Sequence, residues 1–219
     1  MFERDIISQL AAWKTDTNRK PLVVHGARQV GKTWTLKYFG REYFDDVAYF
    51  SLDKDESGLC DVFRTTKDPQ RIIQHLSFLH GKKIEPQTTL LILDEIQECN
   101  EALNALKYFC EEAPEYAVAC AGSLLGIYLN HVGKSFPVGK VNHLYMYPLT
   151  FTEFLRTKDP VMHEYMHSID KVEPLPQIFF DKLRESFTAY SICGGMPEPA
   201  TLMVDFNDME RVDLSLIHI

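Results

Sequence analysis

The sequence predicts an α/β fold built on a mainly parallel sheet, and three features of the chain carry that reading. Short apolar runs alternate with helical patterns between residues 2 and 147, the signature of repeated strand–helix units. A glycine loop follows the first apolar run and opens a helix. Another run, Leu90-Leu91-Ile92-Leu93, is apolar without alternation, as suits a central strand covered on both faces.

Five strands are placed in order, over residues 22–25, 47–52, 90–93, 117–121 and 141–147, with helices predicted over 2–13, 33–39, 69–80, 101–112 and 124–131. In the helix at 101–112, Leu103, Leu106, Tyr108 and Cys110 recur at near-helical spacing, and Pro114 stops it. The character changes after Pro148. Thr150-x-x-Glu153 is a capping-box pattern opening a helix, and helices over 161–170 and 177–192 follow, separated by Pro174-Leu175-Pro176. A chain of 219 residues accommodates one main core with an attachment, so the division is a core at 1–149 and a helical lid at 150–213.

The composition is that of an ordinary globular chain, 45% apolar and 25% charged. With 23 basic against 31 acidic residues the formal charge is −8, so a nucleic-acid contact would need a local basic patch, and none stands out. Five cysteines without Cys-x-x-Cys spacing suggest neither a disulfide framework nor a zinc site, and read as buried thiols in a reducing cytoplasm. No apolar run approaches the ~20 residues of a membrane helix, and the N-terminus lacks the pattern of a signal peptide. A cytoplasmic protein with no membrane partner is expected.

The chemistry concentrates in two motifs. Gly26-Ala27-Arg28-Gln29-Val30-Gly31-Lys32-Thr33 matches the phosphate-binding pattern G-x-x-x-x-G-K-[ST] in full, with Trp34 just inside the helix. Successive N–H groups of such a loop wrap phosphates, Lys32 brings a positive charge to the β- and γ-phosphates, and the Thr33 hydroxyl is a magnesium ligand. The second motif is the apolar strand ending in Asp94-Glu95, at the strand end where ligands of open α/β sheets bind. There Asp94 would hold Mg²⁺, directly or through water, and Glu95 would deprotonate the attacking water.

Two further residues are weaker candidates. Ser123, after the fourth strand, would touch the γ-phosphate or the water, or else simply cap a helix. Lys140, just before the fifth strand, is either a phosphate-sensing cation or a solvated charge. His25, beside the loop, reads as a satisfied strand-end residue rather than a catalyst.

These blocks, together with Leu93-Asp-Glu-Ile-Gln97, Ala121-Gly-Ser-Leu-Leu-Gly126, Tyr147-Pro-Leu-Thr-Phe-Thr-Glu-Phe-Leu155 and Gly194-Gly-Met-Pro-Glu198, stand in an order that resembles AAA-type ATP-binding proteins of bacteria and archaea with a C-terminal domain of unknown function. The resemblance covers nearly the whole chain. It implies a five-stranded parallel sheet followed by a helical lid, ATP and Mg²⁺ as ligands, and a sensor role for Ser123. Relatives often carry Arg where Lys140 stands, which puts an arginine-finger role in question because lysine lacks the planar fork. Family members are normally longer, so an N-terminal fragment is expected. The last six residues, Leu214-Ser-Leu-Ile-His-Ile219, match the translation of a common transposase adapter, CTG TCT CTT ATA CAC ATC, and are expected to be foreign to the gene.

The leading functional expectation is an ATP-hydrolysing switch that acts on a protein or DNA partner through the absent domain, with homo-oligomers a further expectation. The alternatives are a small-molecule kinase, against which the pair Asp94-Glu95 weighs, and a module that binds ATP without turnover. GTP is disfavoured by the lack of an Asn-Lys-x-Asp motif, and the transporter signature Leu-Ser-Gly-Gly-Gln is missing too.

Overall fold

The computed structural model describes residues 2–53, 58–123, 137–206 and 209–217. The chain divides into two compact units. The larger comprises Ile6–Ala27 and Lys32–Met146, and the smaller Met1–Asp5, Arg28–Gly31 and Tyr147–Ile219.

The larger unit is an α/β layer structure. Its elements are α1 (Ile6–Thr15), β1 (Leu22–His25), α2 (Lys32–Tyr43), β2 (Asp46–Ser51), α3 (Leu59–Thr65), α4 (Pro69–His80), β3 (Thr89–Asp94), α5 (Asn100–Glu112), β4 (Ala117–Gly122) and β5 (Asn142–Tyr145). The strands form one sheet in the order β2-β3-β4-β1-β5, and every pairing is parallel. All residues of β3 and β4 are buried, which explains why these two runs carry no polar alternation. One apolar cluster joins Val23, Leu91, Leu93, Val118 and Cys120 of the sheet to Phe63 of α3, Leu76 of α4 and Phe109 of α5.

Local chemistry sets the ends of these helices. Asp68 caps α4 by accepting from the Gln70 N–H, Pro69 fits its first turn, and Gly81 closes it at φ 77°. The helix α3 is absent from the sequence reading; at seven residues it spans too few periods to leave a pattern, and a left-handed Gly58 opens it. The predicted helix over 2–13 starts only at Ile6. The predicted helix at 124–131 lies outside the described residues.

The smaller unit is helical: α6 (Phe151–Lys158), α7 (Pro160–Ser168), α8 (Gln177–Cys193), α9 (Pro197–Phe206) and α10 (Met209–Ile217). The capping box is present as predicted, with the Thr150 side chain accepting from the Glu153 N–H and Glu153 accepting from the Thr150 N–H. Phe2, Leu149, Phe154, Cys193, Ala200, Met203 and Val212 form its core. Residues 2–5 serve this core rather than prolonging α1: Phe2 stacks on Phe154 at 6.1 Å, and the Asp5 N–H donates to Glu153 Oε1 at 2.8 Å. Arg4 is the hub, donating to Glu153 Oε1 at 3.1 Å, the Val30 carbonyl at 3.0 Å and the Tyr147 carbonyl at 2.6 Å.

Gly195 explains the Gly-Gly-x-Pro block. Its φ is 72°, and a Cβ there would meet the Leu149 carbonyl oxygen at 2.5 Å, where the Leu149 N–H donates to the Gly195 carbonyl at 2.7 Å. Residues 214–217, which fall in the segment read as foreign, continue α10. Among the described residues no helix is long and apolar enough to cross a membrane.

Candidate functional site

In a parallel sheet all strands end on one rim, and the register shows which residues meet there. Ser51 pairs with Asp94, Leu93 with Cys120, and His25 with Gly122. The first residues beyond the strands are therefore Gly26 after β1, Glu95 after β3 and Ser123 after β4. The two sequence motifs are brought to the same rim by topology alone.

The phosphate-type loop begins directly after β1 and ends in the first turn of α2. Its backbone is tightly wound, with φ 63° at Gln29 and φ 93° at Gly31; the second of these excludes most side chains. Lys32 is 6% exposed, and its ammonium donates to the carbonyls of Gly26 at 2.9 Å and Ala27 at 2.7 Å. Ala27, Arg28 and Gln29 are exposed and Val30 is buried. Trp34 is turned outward at 40% exposure and stacks on Tyr38 at 5.2 Å.

Asp94 is 5% exposed, and its hydrogen-bond donors are neutral. Its Oδ2 accepts from the Thr33 hydroxyl at 2.7 Å and the Tyr49 hydroxyl at 3.0 Å, while Oδ1 accepts from the Glu95 N–H at 3.1 Å. Among the described residues no ion pair reaches this carboxylate. A buried carboxylate without a cationic partner fits a site for a divalent cation. Thr33 fits as well, because its proton is committed to Asp94 and its lone pairs remain for a metal. Among the described residues no group of three or more His, Cys, Asp and Glu is gathered to hold a metal. Magnesium needs none, since it takes one or two protein oxygens and completes its shell with phosphates and water.

Glu95 leaves β3 in the left-handed region, φ 49° and ψ 48°, which turns its side chain off the strand line. Its Oε2 accepts from the Ser123 hydroxyl at 3.1 Å and from the Gln97 amide. Among the described residues Oε1 accepts no hydrogen bond. Gln97 is a residue that motif reading did not single out. It is 4% exposed and follows Glu95 by two positions, in a 3₁₀ turn at Ile96–Glu98.

Lys140 is not brought to this cluster. It precedes β5, so it lies on the opposite rim of the parallel sheet, where its ammonium pairs with Glu111 of α5 at 2.8 Å. Within one chain it cannot reach a phosphate held by the loop. His25 is satisfied, sharing a hydrogen bond of 2.8 Å with His143 and stacking on Tyr145 at 4.9 Å. Burial, and next the neighbouring His143, hold it below the ordinary histidine range.

A parallel five-stranded sheet with such a loop after β1 and two consecutive acids at the end of β3 defines a P-loop nucleoside triphosphatase core. A family profile described as "AAA domain" matches residues 18–155, and the chain belongs to that nucleotide-binding family. The structure of the Walker-type ATPase PABY2304 of Pyrococcus abyssi is similar with a TM-score of 0.56 at 16% identity, over 98% of this chain and 71% of that one. At this identity the likeness speaks for the fold alone. PCH-2 of C. elegans matches at a TM-score of 0.44 and 13% identity, over 97% of this chain and 68% of its own. No curated protein matches the chain in sequence.

Proposed function

We propose that the chain binds ATP with magnesium and hydrolyses it, and that the cycle serves as a conformational switch for a macromolecular partner. The observation that carries hydrolysis is the state of Glu95. Two donors fix one carboxylate oxygen while the other is open to a water proton, the arrangement a general base requires. Lys32 neutralises the phosphates, Thr33 and Asp94 hold the metal, Glu95 takes the proton from the attacking water, and Ser123 holds Glu95 in line. Magnesium, when bound, supplies charge neutralisation at the β- and γ-phosphates. The switch role rests on the resemblance to AAA-type proteins.

Binding without turnover is the second reading, favoured by the pairing of Lys140 with Glu111 away from the site. Phosphate release decides between the two. Glu95→Gln is expected to bind ATP normally and to hydrolyse it at least ~100-fold more slowly than the unaltered chain. Equal turnover removes Glu95 from the mechanism, and no phosphate release from either protein leaves the binding module.

A further inference from the structure

Tyr49 has no place in either sequence motif, yet its hydroxyl shares Asp94 Oδ2 with Thr33. The register sets Tyr49 opposite Ile92, two positions before the acid, and the length of the phenol carries its oxygen up to the rim. Both in-plane lone pairs of Oδ2 are then engaged, by one donor from α2 and one from β2, and Oδ1 takes the Glu95 N–H. Three donors from three directions leave the carboxylate no freedom to rotate.

The ring itself is pinned. The Lys37 ammonium lies 3.3 Å from its centroid, a cation–π contact. Lys37 follows Thr33 by one helical turn, so both project from one face of α2. This helix addresses Asp94 twice, directly through Thr33 and indirectly through the ring beneath Lys37. Burial, and then the charge of Asp94, push the Tyr49 phenol up to about 12. Toward Asp94 the hydroxyl is the donor.

We propose that Tyr49 is a positioning residue for the divalent-cation site, holding Asp94 in the orientation in which it receives magnesium together with the nucleotide. The proposal rests on reading the rim as a magnesium–ATP site. Tyr49 touches neither ligand and acts through Asp94.

Tyr49→Phe removes the hydroxyl and retains the ring beneath Lys37. A fluorescent ATP analogue is titrated into the unaltered chain and the variant, first in EDTA and then at increasing magnesium. Equal affinities are expected in EDTA, which also shows that the variant is folded and its loop intact. With magnesium, the gain in affinity should be about tenfold smaller in the variant, the scale of one hydrogen bond to a charged group, with the magnesium midpoint displaced upward. Identical magnesium dependence in the two proteins overturns the proposal. So does an equal loss with and without magnesium, which would make Tyr49 a structural residue only. If the unaltered chain binds the analogue with no magnesium dependence, the metal role of Asp94 falls and nucleotide binding stands. If it binds none at all, the nucleotide reading fails and this proposal with it.

Discussion

Arg4 and Glu153, 149 positions apart, meet at 3.1 Å with side chains only 6% and 5% exposed. Two charges withdrawn this far from water persist because each is hydrogen-bonded on several sides. The guanidinium reaches two backbone carbonyls besides the acid, and the acid accepts the N–H groups of Asp5 and Thr150. Arg4→Met would strand Glu153 as a buried, uncompensated charge. The expected loss is about 3–5 kcal/mol in urea unfolding. The double variant Arg4→Met/Glu153→Leu should lose less than the sum of the single changes. Additive losses would mean that the pair is not coupled.

The two lysines read from the sequence should separate cleanly. Lys32→Ala removes the charge inside the loop and is expected to abolish tight ATP binding in a fluorescence titration. Lys140→Ala breaks only a half-exposed pair with Glu111, so affinity should be unchanged and stability should hardly move. A cation that acts across a subunit boundary would show itself differently: mixing the two variants would restore hydrolysis.

The stacked histidines give a signed pH dependence. Burial lowers both His25 and His143, and the neighbouring His143 charge lowers His25 further, whereas the unfolded chain titrates near 6.5. The unfolded state then binds more protons just below that pH. Stability from this pair is fully present above 6.5 and is lost as pH falls through the lowered values. His143→Phe keeps a ring beside His25 and removes one titrating group. Its stability should fall less steeply than that of the unaltered chain as pH drops below about 6.5 in denaturant melts. Parallel curves would show that the pair does not contribute.

The sequence made the site legible where chemistry is local. A complete phosphate loop and an apolar strand ending in Asp94-Glu95 announce themselves within eight and six residues, and the parallel sheet carries both to one rim. Ser123 was legible as a rim residue, but its donation to Glu95 depends on the β3–β4 register. Arg4 and Tyr49 left no signal, because each matters through partners that only folding supplies, and Gln97 stood in the Leu93–Gln97 block without a role until the fold set its amide on Glu95. Lys140 was read as standing just before the fifth strand, and it does. The sequence alone did not show that parallel strands begin on the rim away from the loop, where this cation pairs with Glu111.

The sulfur chemistry of the chain offers a practical handle. Cys60, Cys99, Cys120 and Cys193 are buried, and burial pushes the last three thiols up, which keeps them in the unreactive protonated form. Cys110 alone is half-buried, on α5 directly before Glu111. A maleimide dye would therefore mark one position without mutagenesis. Because that position adjoins the Lys140 pair and lies away from the loop, energy transfer between labelled copies would report self-association while leaving the nucleotide rim chemically untouched.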